Sequence, residues 1–216
     1  MDQYPFFIDR TDAGNRLAEK LTFLSQERLV VLPILNGGVP IAAEIVKKYS
    51  CPLDILLVHK LHYPGKPEFG FGAVSFDGTI LLNQEAIKNL SLNSKETELI
   101  IKEAFSLLKK RKEAIIQNRL PVNLFFKTAL IVDDGLATGY TMLVAIRAIK
   151  KRGPKKIIVA IPAASHRGLN LVKNEIEEAV CLYTHPEHYP FKIAASYQKW
   201  HTIEDKEVNP LLIARF

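Results

Sequence analysis

Asp133 and Asp134 stand side by side, directly after the apolar run Thr128 to Val132 and directly before Gly135-Leu136-Ala137-Thr138-Gly139. Adjacent carboxylates repel each other, and a strand end has no structural need of two. Their charges are therefore expected to be answered from outside the chain. Small residues let backbone N–H groups converge on a phosphate, the N-terminus of the following helix adds positive potential, and Thr138 and Thr141 bring hydroxyl donors. Acids on one side and a phosphate cradle on the other suit a ribose diol that carries a 5′-phosphate. Carboxylates accept hydrogen bonds from such a diol and help to hold a divalent cation.

Three rival chemistries use similar residues, and each lacks a part here. A Walker loop needs Gly-Lys-Ser/Thr, and no Lys follows Gly139. A dinucleotide fingerprint places its acid about 20 residues after the glycines rather than before them. A phosphoacceptor receiver domain carries its acids near its start, whereas this pair follows four candidate strands. The bland reading is a capped loop with an incidental acid pair, and it leaves the combined positions unexplained.

The elements that must position these residues alternate along the chain. Asp12 is placed to cap a helix over Ala13 to Ser25, and Leu29 to Leu35 reads as a fully buried strand. Asn36-Gly37-Gly38 breaks that strand, and Pro40 suits the first turn of a helix to Tyr49. Leu53 to Val58 reads as another apolar strand, and the Gly and Pro crowded between His62 and Gly72 predict a mobile loop. Asp77-Gly78 is a hairpin signal between Phe71–Phe76 and Thr79–Leu82, and Asn93 with Glu96 forms a capping-box pattern ahead of a long helix. Strands at 128–132, 157–161 and 180–183 then alternate with helices at 140–151 and 170–177. This pattern predicts an α/β fold, a mainly parallel twisted sheet with helices on both faces, occupying residues 1–184 with a mobile loop at 59–72. The aromatic, Pro-containing tail from 185 to 216 reads as a small C-terminal hood. Ligands of such sheets sit beyond the carboxyl ends of the strands, where the acid pair lies.

Composition narrows the setting. At 216 residues, 48% hydrophobic and 24% charged, the chain suits one sizeable core. No run reaches the roughly 18 apolar residues that span a bilayer, and the start lacks a signal-peptide pattern. Cys51 and Cys181 stand far apart, so a reducing cytoplasm is expected. His166, His185 and His188 have no metal-ligand spacing and read as loop polar residues. The net charge of +6 suggests an anionic partner. The basic clusters Lys109-Lys110-Arg111-Lys112 and Lys150-Lys151-Arg152 fall at helix ends and read as solvated, dipole-complementing faces. No zinc, RNP or recognition-helix pattern accompanies them, so a phosphorylated small molecule is expected rather than a nucleic acid.

The segment "LIVDDGLATGYT" resembles the PRPP-binding motif of the type I phosphoribosyltransferases. "FIDRTDAGNRLAEKL", "ILNGGVPIAAEI", "HKLHYPGKPEFGFGAV" and "KWHTIEDKEV" are similar to segments of an uncharacterised bacterial branch of predicted phosphoribosyltransferases, so the resemblance covers most of the chain. It implies that Asp133 and Asp134 bind the ribose hydroxyls, directly or through Mg²⁺. It implies that Gly135, Leu136, Ala137, Thr138, Gly139, Tyr140 and Thr141 surround the 5′-phosphate. It also implies a pyrophosphate loop at Asn36, Gly37 and Gly38, and further pyrophosphate contacts from His59 and Lys60, with Lys60 the foremost. The implied reaction passes PRPP through an oxocarbenium-like state, transfers its phosphoribosyl group to a nitrogenous acceptor and releases pyrophosphate. Dimers are common among related enzymes, while the residues themselves leave the oligomeric state open.

Two positions depart from the family pattern. Asn36 and His59 stand where the related proteins usually carry arginine, and neither offers arginine's permanent planar charge. Lys66 and Arg10 are the candidates to compensate. This departure motivates a second reading, a non-catalytic regulator that binds PRPP or a nucleoside monophosphate; hydrolysis or phosphorolysis of a nucleotide is a third. Ala137 occupies the point where hypoxanthine-guanine enzymes place an acid, which argues against a loop carboxylate as general base. The base pocket is expected between Pro162 and the hood, where Tyr189, Phe191, Tyr197 and Trp200 either stack on a heterocycle or form the hood's own core, the latter being favoured.

Overall fold

Strands that bury both faces need cover on both, and the helices of this chain divide between them. The computed structural model describes residues 5–116, 120–186 and 191–213. The chain begins with helix α1 (Arg10–Lys20), strand β1 (Leu29–Pro33) and helix α2 (Gly38–Tyr49). A three-stranded antiparallel unit follows: β2 (Val58–Tyr63), β3 (Lys66–Ser75) and β4 (Ile80–Leu82). Helices α3 (Gln84–Asn89) and α4 (Ser94–Arg111) lead to β5 (Thr128–Val132), α5 (Tyr140–Lys150), β6 (Lys156–Ser165), α6 (His166–Val172), β7 (Glu178–His185) and α7 (Asp205–Ile213). The main sheet is parallel, in the order β1-β5-β6-β7.

Successive strand residues point to opposite faces, and the core divides accordingly. Val31, Leu130, Val132, Ile158 and Ala160 belong to one apolar cluster with Leu17 of α1, Ile45 of α2, Leu108 of α4 and Val208 of α7. Their strand neighbours Val30, Leu32, Ile131, Val159 and Ile161 belong to a second cluster under Ile146 and Ile149 of α5. β1 and β5 end in register at Pro33 and Val132, just before the acid pair, while β6 and β7 run on to Ser165 and His185 beside it.

Several expected elements form differently. The Leu53–Val58 segment is an edge with isolated parallel bridges, Leu53 to Val31 and Leu56 to Ile34, and the Ile55 amide is closed off by the Asp54 carboxylate at 2.8 Å. The expected mobile loop at 59–72 is the β2–β3 hairpin. Two of its glycines serve close approach: a Cβ on Gly70 would lie 2.2 Å from the Lys60 side chain, and one on Gly72 would lie 2.4 Å from the Leu81 carbonyl, whereas Gly65 at the turn takes a positive φ of 75° in open space. Helix α1 starts one turn early because Asp9, not Asp12, accepts the capping bond, from the Asp12 amide at 2.9 Å. This places Arg10 in the first turn.

The tail splits between two places. Val208 and Leu212 of α7 enter the first core cluster. Residues 193–200 instead pack on the N-terminal segment: the Phe6 and Phe7 amides donate to the Ser196 carbonyl at 3.1 and 3.0 Å, and the Gln198 amide donates to Phe7 at 2.8 Å. The hood is thus made from both ends of the described chain. Among the described residues no helix is long and apolar enough to cross a membrane.

The capping box of α4 is complete, with the Glu96 amide donating to Asn93 Oδ1 at 3.0 Å and the Asn93 amide donating to Glu96 Oε2 at 2.9 Å. Asn93→Ala is expected to cost about 1 kcal/mol, read as a lower urea midpoint at unchanged slope. An unchanged midpoint would show that packing alone holds the start of α4.

Candidate functional site

The acid pair is answered partly from within. Arg10 reaches Asp134 Oδ2 with Nε at 2.9 Å and Nη2 at 2.8 Å, while its Nη1 donates to the His201 carbonyl at 3.0 Å. The Trp200 ring covers the guanidinium at 3.9 Å. The Tyr197 hydroxyl donates to the Asp134 carbonyl at 2.6 Å, and burial pushes that phenol's pKa far up. Asp134 is itself buried, and Asp133 is partly open. Burial pushes both carboxyls above the usual range. The shift is larger at Asp133, where the Asp134 charge adds to it, while Arg10 draws Asp134 back.

The Asn36-Gly37-Gly38 loop lies directly on these acids. A Cβ on Gly37 would sit 2.0 Å from Asp134 Oδ2, and one on Gly38 would sit 2.5 Å from the Val132 carbonyl and 3.2 Å from Asp133 Cα. Only glycine fits both places. The Leu35–Asn36 peptide is cis. Asn36 itself is fully engaged: its Nδ2 donates to the Ile203 carbonyl at 2.8 Å and to Asp205 Oδ1 at 3.0 Å, and its Oδ1 accepts from Arg111 Nη2. The same Arg111 nitrogen meets Asp205 Oδ1 at 2.7 Å.

The small-residue loop is pinned from behind. The Leu136 amide donates to the Ala163 carbonyl at 3.0 Å, the Leu136 carbonyl accepts from the Ser165 amide at 2.8 Å, and the Ser165 hydroxyl donates to the Ala137 carbonyl. Leu136 is buried with its backbone satisfied, so it tethers the loop to β6 and is not a phosphate donor. Gly135 is filled against Ile193, which a Cβ would approach to 2.6 Å. Gly139 takes a positive φ of 87° and starts α5 with no side-chain cap. The first-turn amides of such a helix have no intrahelical partner. Ala137, Thr138, Tyr140 and Thr141 all reach the surface there.

The remaining candidates separate. His59 and Lys60 are neighbours on β2, so they point to opposite faces; His59 shares its side with Leu61 of the first cluster, and Lys60 shares its side with Val58 of the second. Burial first, then His62 and Arg111, lower the His59 pKa, leaving it neutral near pH 7. Pro162 is buried in β6. Phe191 and Tyr197 join Phe7 in the hood's own cluster, and Trp200 gives one ring face to Arg10. Tyr189 and His188 lie outside the described residues. Lys66 stands 6.0 Å from the Phe69 ring in β3, and Arg10 is committed to Asp134. A cavity of about 680 Å³ lies apart from the acids, beside Asp54, Asp77, Lys151 and Arg152, whose charges are already paired with each other.

Residues 9–188 match the phosphoribosyl transferase domain. This chain belongs to that family. The chain is 35% identical over 206 residues to a Mycobacterium tuberculosis protein named "Putative phosphoribosyl transferase", covering 95% of this chain and 46% of that protein. It therefore spans about half the length of the curated relatives it matches. The crystal structure of TT1426 from Thermus thermophilus superposes with a TM-score of 0.76 at 32% identity, covering 96% of this chain and 98% of that one. AQ2163 from Aquifex aeolicus, at 17% identity and a TM-score of 0.53 over 81% of this chain and 74% of that one, shares the fold.

Sequence reasoning passed over three residues of this candidate site. Tyr197 was grouped with ring-stacking candidates, although its hydroxyl holds the acid strand end. Asp205 lay within the quoted segment KWHTIEDKEV but was given no role. Arg111 was absorbed into a basic cluster, although its spacing from Ala104 and Leu108 puts it on the buried stripe of α4.

Among the described residues no group of three or more His, Cys, Asp or Glu is placed to hold a metal. Two carboxylates, one of them tied to Arg10, fit a Mg²⁺ that takes its other ligands from substrate oxygens and water. Asp133→Asn is expected to melt higher than the parent at pH 7 by roughly 2–4 °C, the shift that about 1 kcal/mol gives in a chain of this size. The sign follows from linkage. The folded pKa of Asp133 lies above its unfolded value of about 3.9. The folded state therefore holds the proton more tightly, and stability is lost as pH rises through that window. Melts of both proteins should converge toward pH 4; a variant that melts lower at pH 7 contradicts this account.

Proposed function

We propose that the chain is a Mg²⁺-dependent phosphoribosyltransferase that moves the 5-phosphoribosyl group of PRPP to a nitrogenous acceptor and releases pyrophosphate. The observation that carries this reading is the seat of Gly37 and Gly38 against Asp134 and Asp133. In PRPP the diphosphate leaves from C1′, beside the 2′ and 3′ hydroxyls, and the 5′-phosphate lies at the other end of the ribose. A glycine loop touching the diol-binding acids, followed in space by an uncapped helix start, matches that order of groups.

Each part has a distinct role. Asp133 accepts from the ribose hydroxyls, and Asp134, oriented by Arg10, completes the acid pair. The amides of Ala137, Thr138, Gly139, Tyr140 and Thr141, with the two threonine hydroxyls, hold the 5′-phosphate. The backbone of Gly37 receives the diphosphate at the start of α2, the Gly38 amide being held by the Ile34 carbonyl at 3.1 Å, and Lys60 on the β2–β3 hairpin approaches it. Asp133 and Asp134 would hold a Mg²⁺ together with substrate oxygens, and the ion would neutralise charge on the leaving diphosphate. As the C1′–O bond breaks, its electron pair leaves with the diphosphate and the acceptor nitrogen bonds to C1′. Preorganised donors at the diphosphate lower that barrier, and exclusion of water protects the cation-like ribose.

Calorimetry with PRPP is expected to show binding that strengthens with Mg²⁺. Asp133→Asn should weaken it roughly 10-fold, as loss of a charged hydrogen bond does, with the fold retained by circular dichroism because the Arg10–Asp134 pair is left intact. Unchanged affinity would remove the ribose-binding assignment. Pyrophosphate release across a panel of bases identifies the acceptor; PRPP binding with no release in any case would turn the reading to the binding-only regulator.

A further inference from the structure

Asn36 and His59 stand where the family pattern has arginine, yet a transferase still needs a permanent cation beside the departing diphosphate. Resting on the phosphoribosyltransferase reading, we propose that Arg111 is that cation: a diphosphate-binding residue delivered from the end of α4 to the loop at Asn36-Gly37-Gly38.

Arg111 contacts the loop directly, donating from Nη2 to Asn36 Oδ1 and, at 2.7 Å, to Asp205 Oδ1. A guanidinium carries five N–H donors. Among the described residues the bonds of Arg111 run through Nη2, which leaves Nη1 and Nε available to a ligand. Its side chain is 24% exposed, enough to reach one without leaving its seat. Its position is built rather than incidental. Arg111 falls three residues after Leu108 and seven after Ala104, both buried in α4, so the helix face that packs on the core aims it at the loop. Asp205, at the start of α7, grips it from the other side.

The identity of residue 36 fits this arrangement. Asn36 turns its Nδ2 to Asp205 and the Ile203 carbonyl, and so presents its oxygen to Arg111. An arginine at 36 would set two guanidiniums against each other. Asn36 and Arg111 therefore form an exchanged pair, with the charge moved from the loop to the neighbouring helix. His59 lies on the same side of β2, close enough for the Arg111 charge to oppose its protonation. One guanidinium thus stands by both departures.

The test separates diphosphate from the rest of the substrate. PRPP and ribose 5-phosphate are titrated, with Mg²⁺ present, into the parent, Arg111→Ala, and Arg111→Ala combined with Asn36→Arg. Arg111→Ala is expected to lose PRPP affinity roughly 10- to 100-fold, the effect of one charge-assisted contact, with ribose 5-phosphate affinity unchanged. Adding Asn36→Arg should restore PRPP binding by returning the charge to the loop, a coupling that independent sites would not show. Equal loss for both ligands would make Arg111 a structural pin, and full PRPP affinity in Arg111→Ala would equally overturn the proposal. A parent that binds neither ligand overturns the transferase reading itself. Arg111→Gln, which keeps a donor toward Asn36 and Asp205, replaces the alanine variant if that one does not fold.

Discussion

A buried carboxylate pair at the end of a strand is electrostatically unfavourable, and the Arg10–Asp134 ion pair makes it tolerable. Desolvation penalises both charges, and Arg10 compensates the deeper one with two nitrogens on a single oxygen. The consequences extend outward from that contact. To reach Asp134, Arg10 must lie in the first turn of α1, which fixes Asp9 as the cap. To be held there, its other nitrogen needs the His201 carbonyl and its flat face needs Trp200, which brings the tail over the N-terminal segment. The hood exists because an arginine has to be clamped.

The pair also explains why one acid is sheltered and the other is not. Asp134 is neutralised internally, oriented by Tyr197 from behind, and serves as a fixed element of the candidate site. Asp133 keeps its carboxylate at a partly open position, where Oδ1 accepts from the Asp134 amide at 2.9 Å and no ion pair like that of Asp134 holds it among the described residues. A site that binds a polyhydroxyl, metal-linked ligand gains from such a residue, because its excess free energy before binding is released when the ligand supplies partners. The glycines packed against the two acids complete this division, since any side chain at 37 would displace the carboxylate that Arg10 holds.

Local signals in the sequence carried the frame. The continuous apolar runs gave β1 and β5, Asn93 with Glu96 gave the start of α4, and Asp133 to Gly139 gave the turn from β5 into α5 that carries the candidate site, because each is set by neighbours within a few residues. The rest depended on contacts between residues far apart in the chain. Gly70 and Gly72 read as flexible because nothing local shows that Lys60 and Leu81 fill their surfaces. Leu136 read as one more small-loop amide until β6 was seen to take its hydrogen bonds. Asp12 is as good a cap as Asp9 by residue type, and only the demand for Arg10 at Asp134 decides between them. The aromatic tail read as one unit, although Val208 and Leu212 belong to the main core.

The position of Asp205 gives α7 a part in the site that its sequence does not advertise. Val208 and Leu212 anchor the helix in the same cluster as Leu108 of α4, so the two ends that carry Asp205 and Arg111 are set by one core. A guanidinium supplied this way is preorganised: it is held before any ligand arrives, and ordering it on binding costs little. The arrangement has an electrostatic consequence as well. Asp205 offsets part of the Arg111 charge, so an anion bound there as proposed would join an existing ion pair rather than meet a bare cation. The position of Arg111 at the loop therefore depends on how firmly α7 is seated, through packing some distance from the acids.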